Sequence, residues 1–257
     1  MTRKGPVACE PLETGAYWRV FLDRPEGNIL DGEMFEALTA IFREAGENKD
    51  LKVLCIEGRG AHFSFGSSIP EHMPEHAENM LRGFHQTLQT MLDGSYVVLA
   101  AVRGQCLGGG LELVSCCHRV FASRHARLGQ PEIRLGVFPP VASVILPERV
   151  GRANAEDLCL SGRSVTAEEG LSMGLVDVLA DDPSDAALAY AKEHMLPRSA
   201  SSLRYAARAA RLGLRTRFAV ELHEVERLYL EELMKSHDAV EGLEAFMEKR
   251  APRWKNA

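Results

Sequence analysis

The chain reads as an α/β protein with a helical C-terminal region, and three observations predict this. The first half repeats strand, loop and helix. Its loops of unusual composition follow the strands, where open α/β folds bind ligands. From Ala153 onward the apolar pattern is mostly helical.

Each element has its own signal. Tyr17–Leu22 is a short apolar and aromatic run and reads as a strand. Asp31 caps a helix over residues 33–47, with Met34, Phe35, Leu38, Ile41 and Phe42 at helical spacing. Residues 51–56 form a buried strand closed by Glu57-Gly58-Arg59-Gly60, and a polar loop, His62-Phe63-Ser64-Phe65-Gly66-Ser67-Ser68, follows. A helix is expected over 77–92, a strand over 96–102, a glycine-led helix carrying Glu112, and a strand over 119–122. Three helices close the chain, over 200–212, 217–234 and 238–249, without a low-complexity tract or long linker.

Composition narrows the class. The 257 residues are 46% hydrophobic and 26% charged, as in an ordinary globular protein large enough for a sizeable core. The net charge of −6 argues against a nucleic-acid partner. Six scattered cysteines without a Cys-x-x-Cys pair fit free thiols in a reducing cytoplasm. The first residues lack the apolar stretch of a signal peptide, and the apolar run from Tyr96 to Val102 is too short to span a bilayer, so no membrane association is expected.

Two patches carry chemistry. Gly108-Gly109-Gly110-Leu111-Glu112-Leu113 is a triple glycine entering an apolar helix with a carboxylate, and Gly129-Gln130-Pro131-Glu132-Ile133 is a Gly/Pro loop with another. Glycines leave backbone N–H groups open, and a helix start aims them at negative charge. The first patch is no phosphate loop, because Gly110 stands where that loop needs lysine. A tight strand-to-helix turn is the plain alternative. Glu112, among Leu111, Leu113 and Val114, is either a buried carboxylate raised towards catalytic use or half of a salt bridge to Arg103 or Arg119. Glu132, taken alone, reads as a surface residue. His72-Met73-Pro74-Glu75-His76 matches a zinc-peptidase pattern, but Pro74 interrupts the regular helix that the pattern requires, so no metal is expected. No G-x-S-x-G elbow makes Ser67 or Ser68 a nucleophile.

Taken together, the chain resembles the crotonase (enoyl-CoA hydratase/isomerase) superfamily. The resemblance runs through Arg24-Pro25-x-x-Asn28, Phe63-Ser64-x-Gly66-Ser67-Ser68 and Gly104-x-x-x-Gly108-Gly109-Gly110-x-Glu112. It continues through Gly129-Gln130-Pro131-Glu132 and Glu241-Gly242-x-x-Ala245-Phe246-x-Glu248-Lys249-Arg250. It implies a crotonase-like spiral of ββα units over residues 1–195 that holds the active site. A C-terminal helical region, 196–257, would mediate trimers or hexamers. It implies an acyl-CoA thioester substrate, coenzyme A entering as part of that substrate and not as a separate cofactor. The oxyanion hole would be the N–H groups of Ser67 and Gly109, and the catalytic pair Glu112 and Glu132. Substrate contacts would come from Phe65, Gly66, Ser68, Gly108, Phe138 and Val141, with Phe246 and Lys249 near a neighbour's CoA.

Keeping both glutamates argues for hydration or dehydration. Several stretches, among them Gln130-Pro131-Glu132-Ile133-Arg134-Leu135-Gly136-Val137-Phe138 and Tyr229-Leu230-Glu231-Glu232-Leu233-Met234, are unusual within the superfamily. They resemble the branch that hydrates ring dienoyl-CoA thioesters in aromatic degradation. There the hydroxyl goes to the β carbon and the proton to a remote ring carbon. Glu132 is assigned the proton donor and Glu112 the base. Two departures from the family pattern matter: Phe138-Pro139-Pro140-Val141-Ala142-Ser143 lacks the usual glycines, which implies a different acyl group, and Ser68 replaces a common aspartate, which fits an apolar ring. The alternatives are a general short-chain or branched enoyl-CoA hydratase and a crotonase-like RNA-binding protein.

Overall fold

A computed structural model describes residues 2–24 and 26–257. Pro25, part of the first family stretch, lies outside the described residues. The chain opens with β1 (Thr2–Lys4), β2 (Val7–Leu12) and β3 (Tyr17–Leu22), paired antiparallel in succession. Next come α1 (Gly32–Glu47), β4 (Val53–Gly58), α2 (Pro74–Asp93) and β5 (Val97–Val102). Then follow β6 (Gln105–Leu107), α3 (Gly109–Ser115), β7 (Arg119–Ser123) and β8 (Arg127–Gly129). The chain proceeds through α4 (Pro140–Val150), α5 (Arg152–Ser161), β9 (Ser164–Thr166), α6 (Ala167–Met173) and β10 (Val178–Ala180). It ends with α7 (Pro183–His194), α8 (Ala200–Ala210), α9 (Leu212–Arg227) and α10 (His237–Met247).

Ten strands make two sheets among the described residues. The larger runs β1-β2-β3-β4-β5-β7-β10 and is parallel from β3 onward; the smaller runs β6-β8-β9. A parallel sheet covered on both faces needs strands apolar throughout, and β5 is buried at every residue. Val98, Ala100 and Val102 face the main core with α1 and α2, while Val97, Leu99 and Ala101 pack with Ala187 and Ala191 of α7. Asp31 caps α1 by accepting the Met34 N–H at 3.0 Å, as its sequence position predicts. The C-terminal helices belong to the same interior: Phe218, Leu222, Tyr229 and Leu243 join the main core. Among the described residues, no helix is long and apolar enough to cross a membrane.

The helical C-terminus differs in detail from the sequence reading. The chain breaks at Arg211, whose guanidinium donates to the Cys116 carbonyl at 2.8 Å, so α9 begins at Leu212 and not at 217. After Arg227 the helix widens into a π-helical segment, Leu228–Glu232, then tightens into a 3-10 turn, Leu233–Lys235.

Candidate active site

The loop after β4 is shaped by one asparagine. Asn28 is buried and takes φ +52°, a backbone region that asparagine tolerates better than most residues. Its amide nitrogen donates to the carbonyls of Arg59, His62 and Phe63, each at 3.0 Å, and its side-chain oxygen accepts the Arg24 N–H. Ser64 returns a hydroxyl bond to the Asn28 carbonyl at 2.8 Å and accepts the Gly66 N–H. Leu30 donates to the Gly66 carbonyl and accepts the Ser68 N–H, forming a parallel bridge at Ser67. The amide of Ser67 therefore points away from Leu30, and no backbone acceptor meets it among the described residues.

The triple glycine lies against this loop. A Cβ on Gly109 would lie 2.3 Å from Ser67 Oγ and 3.4 Å from Ser67 N, and one on Gly110 would lie 2.8 Å from the Ser64 Cβ. A Cβ at either position would force the serine beside it to shift. Gly109 is the first residue of α3, where the helix supplies no acceptor for its N–H. Two free amides, those of Ser67 and Gly109, stand side by side at the mouth of α3.

The two glutamates converge here. Glu112 sits one turn into α3, nearly fully buried, and its Oε1 accepts the Ala142 N–H at 2.7 Å from the start of α4. It makes no ion pair among the described residues. Arg103 pairs with Asp182, and Arg119 stacks on Tyr190, which removes the salt-bridge reading of Glu112. Glu132 opens a 3-10 turn, Glu132–Leu135, after β8. Strands β6 and β8 pair in parallel, and Gly108 donates to the Gly129 carbonyl at 3.0 Å, so the two carboxylate-bearing segments are tied together. A Cβ on Gly108 would come within 2.6 Å of Glu132 Oε1. The buried Gln130, with its amide nitrogen turned towards acceptors, donates to the Gly108 carbonyl at 3.2 Å and to the Glu132 carboxylate at 3.3 Å.

Burial raises the pKa of Glu112, against the opposing pull of the Ala142 and Val141 N–H groups. Burial raises Glu132 well above the usual carboxylate range, and the charge of Glu112 raises it further. Two such carboxyls share a proton more readily than they ionise together, the arrangement that can split acid and base roles between them.

Both carboxyls face an inner chamber of about 50 Å³, room for a few water molecules, whose other walls include Phe65, Gly66, Gly108, Phe138 and Tyr229. The chamber shares Phe65, Ser67 and Leu135 with an outer groove of about 690 Å³, lined also by Ser68, Phe246 and Met247. Of the residues expected from sequence to contact substrate, Val141 is fully buried and lines neither cavity, and its backbone N–H faces Glu112. Lys249 is exposed and lines neither cavity. His72 sits in a turn before α2, which starts at Pro74, so His72 and His76 do not share a helix face.

Sequence reasoning passed over five contributors. Asn28 appeared only as part of a stretch; an asparagine after glycine is itself a signal for positive φ. Gln130 and Ala142 act through a buried amide and a backbone N–H, which have no compositional mark. Tyr229 and His85 line the chamber, and each has a buried polar atom, Oη and Nε2, without a partner among the described residues.

A family model described as enoyl-CoA hydratase/isomerase matches residues 15–257. The chain belongs to the enoyl-CoA hydratase/isomerase family. It is 51% identical over 254 residues to a cyclohexa-1,5-dienecarbonyl-CoA hydratase of Thauera aromatica, covering 97% of this chain and 98% of that one. It is 31% identical over 250 residues to a probable enoyl-CoA hydratase of Bacillus subtilis, covering 91% and 93%. Its fold matches an enoyl-CoA hydratase/isomerase crystal structure from Pseudoalteromonas atlantica with a TM-score of 0.85 at 25% identity, covering 97% and 99%. The crotonase fold expected from the resemblance is the one observed.

Proposed function

We propose that this family member is a hydro-lyase acting on a CoA thioester. It adds water 1,4 to cyclohexa-1,5-diene-1-carbonyl-CoA, giving 6-hydroxycyclohex-1-ene-1-carbonyl-CoA, in anaerobic degradation of aromatic acids through benzoyl-CoA. The observation that carries the hydratase reading is the convergence of Glu112 and Glu132 on one chamber beside two free amides. The ring preference rests on the Thauera aromatica relative and its near-complete coverage.

On this reading the thioester oxygen accepts the N–H groups of Ser67 and Gly109. Charge grows on that oxygen as hydroxide adds to the β carbon, and each such donor is typically worth about 10²–10³ in rate. Glu112, the less strongly raised of the two, takes the proton of the attacking water. Glu132, held protonated by burial and by its neighbour's charge, supplies the proton for carbon. Phe65 and Phe138 flank an apolar ring, with Gly66 and Gly108 beneath it. Ser68 and Phe246 lie along the groove that takes the CoA arm, and coenzyme A serves as the handle of the substrate.

Residues 196–257 are proposed to mediate a homotrimer, or a hexamer of two trimers, in which Lys249 meets a neighbour's CoA. The exposed apolar side chains of Tyr205, Leu212 and Val220 support an interface in that region. Six free thiols support a reducing cytoplasm as its setting.

The test is turnover of cyclohexa-1,5-diene-1-carbonyl-CoA and crotonyl-CoA side by side. Hydration of the ring diene is expected. Turnover of crotonyl-CoA alone would replace the ring reading with a general enoyl-CoA hydratase, which the Bacillus subtilis relative favours. Turnover of neither would end the hydratase reading.

A further inference from the structure

We propose that Tyr229 relays the proton from Glu132 to the remote ring carbon, an assignment that rests on the ring-diene reading above. In ordinary enoyl-CoA hydration the proton lands on the α carbon, beside the bound carbonyl. In 1,4-addition it lands across the ring from the carbon that receives hydroxyl. The carboxyl that shares the catalytic water then needs a longer reach.

Tyr229 has the position and the chemistry to supply it. It lines the chamber with Glu112 and Glu132, it is 1% exposed, and its Oη is buried with no hydrogen-bond partner among the described residues. A buried hydroxyl without a partner is a standing cost to the fold, so its retention calls for an explanation. The residue lies in the π-helical segment Leu228–Glu232, and such single widened turns occur mostly at functional sites. Its ring packs edge-on against Phe138, centroids 5.3 Å apart, which holds the ring in place against the chamber wall. Burial, then the charges of Glu132 and Glu112, raise its pKa, so the phenol stays neutral.

A phenol held neutral this way passes protons without storing them. As the O–H bond of Tyr229 breaks towards the ring carbon, the Glu132 carboxyl resupplies that oxygen through a water in the chamber, since the two groups share no direct hydrogen bond. A C–H bond forms, Glu132 becomes a carboxylate, and Tyr229 ends neutral. Glu112 meanwhile holds the proton taken from water. After product leaves, the next water returns that proton to Glu132, so the cycle closes with no other reactant.

The experiment compares Tyr229→Phe with the parent as intact full-length proteins. The variant loses only an unpartnered hydroxyl, so it should melt at or above the parent temperature. On the ring diene its kcat should fall by about 10²-fold, the scale of a lost proton-transfer group, with KM within about twofold of the parent. Unchanged kcat would overturn the relay, as would a loss that appears wholly in KM or that follows a lower melting temperature. The parent's own turnover decides the ring reading separately, because a parent that hydrates the diene alongside an equally fast variant refutes the relay alone.

Discussion

Asn28 touches none of the proposed chemistry, yet its removal should damage both stability and rate. Its two amide hydrogens serve the carbonyls of Arg59, His62 and Phe63, and its oxygen serves the Arg24 N–H. Two donors and one acceptor at about 1 kcal/mol net each amount to roughly 3 kcal/mol. Its φ of +52° adds about 1 kcal/mol for a replacement with a Cβ and no such side-chain bonds. Asn28→Ala should therefore lose about 4 kcal/mol, or roughly 10 °C in Tm for a chain of this size. Asn28→Gly is spared the backbone part and should lose about 3 kcal/mol. Asn28→Asp turns an acceptor-only group towards three carbonyls and should be the worst of the three. Urea or thermal unfolding gives the order, and turnover below all three transitions gives the functional cost. Because the Asn28 bonds hold the loop that aims the Ser67 amide, kcat should fall towards the ~10² expected for one weakened oxyanion donor. An alanine variant with parental stability and kcat would refute this account, and so would an aspartate variant more stable than the glycine one.

Glu112→Gln and Glu132→Gln should each lose about 10²–10⁴ in kcat while staying folded, since neither carboxylate is part of an ion pair among the described residues; full activity at either position would remove it from the mechanism. Both carboxyls have raised pKa values in the fold, so the native state binds more protons than the unfolded chain, and their contribution to stability is lost as pH rises above about 4.3. Glu132→Gln should flatten that decline, and melting curves from pH 5 to pH 8 that stay parallel to the parent would contradict the assignment. The same pair predicts a rate that falls on both sides of neutrality, on the acid side as the base protonates and on the alkaline side as the acid ionises. Gly108→Ala forces a Cβ to 2.6 Å from Glu132 Oε1 at φ +50°, which should cost about 1–2 kcal/mol and most of the activity, and normal turnover would show that the carboxyl tolerates displacement.

Much of this architecture is legible in the sequence where one physical rule acts alone. The Tyr17–Leu22 strand matches its apolar run, and Asp31 caps α1 because a short acceptor before an amphipathic stretch has few other uses. The first two strands escape, because Glu10 and Pro11 within β2 break the apolar pattern and pairing with β3 outweighs propensity. The three-residue strands of the small sheet are too short to leave a period. Glu132 shows the limit most clearly. Its Gly-Gln-Pro-Glu loop is polar by composition, but Phe138 and a tyrosine 97 residues later in the chain close over it. No local window contains that information. The chamber's orphaned hydroxyl was equally invisible, since it depends on a helix widening by one residue at Leu228–Glu232.

The parallel pairing of β6 with β8 has a consequence for how such a protein changes over generations. Backbone hydrogen bonds between β6 and β8, with the Gln130 amide beside them, set the spacing between the Glu112 and Glu132 segments, and neither carboxylate forms an ion pair among the described residues. The scaffold and its amide pair can therefore persist while either acid is exchanged by a single codon change. A descendant that lost one carboxyl would keep its grip on the thioester oxygen and lose command of water. New reactions on the same thioester are thus a short mutational step away, and the step is taken in side chains that the architecture does not need.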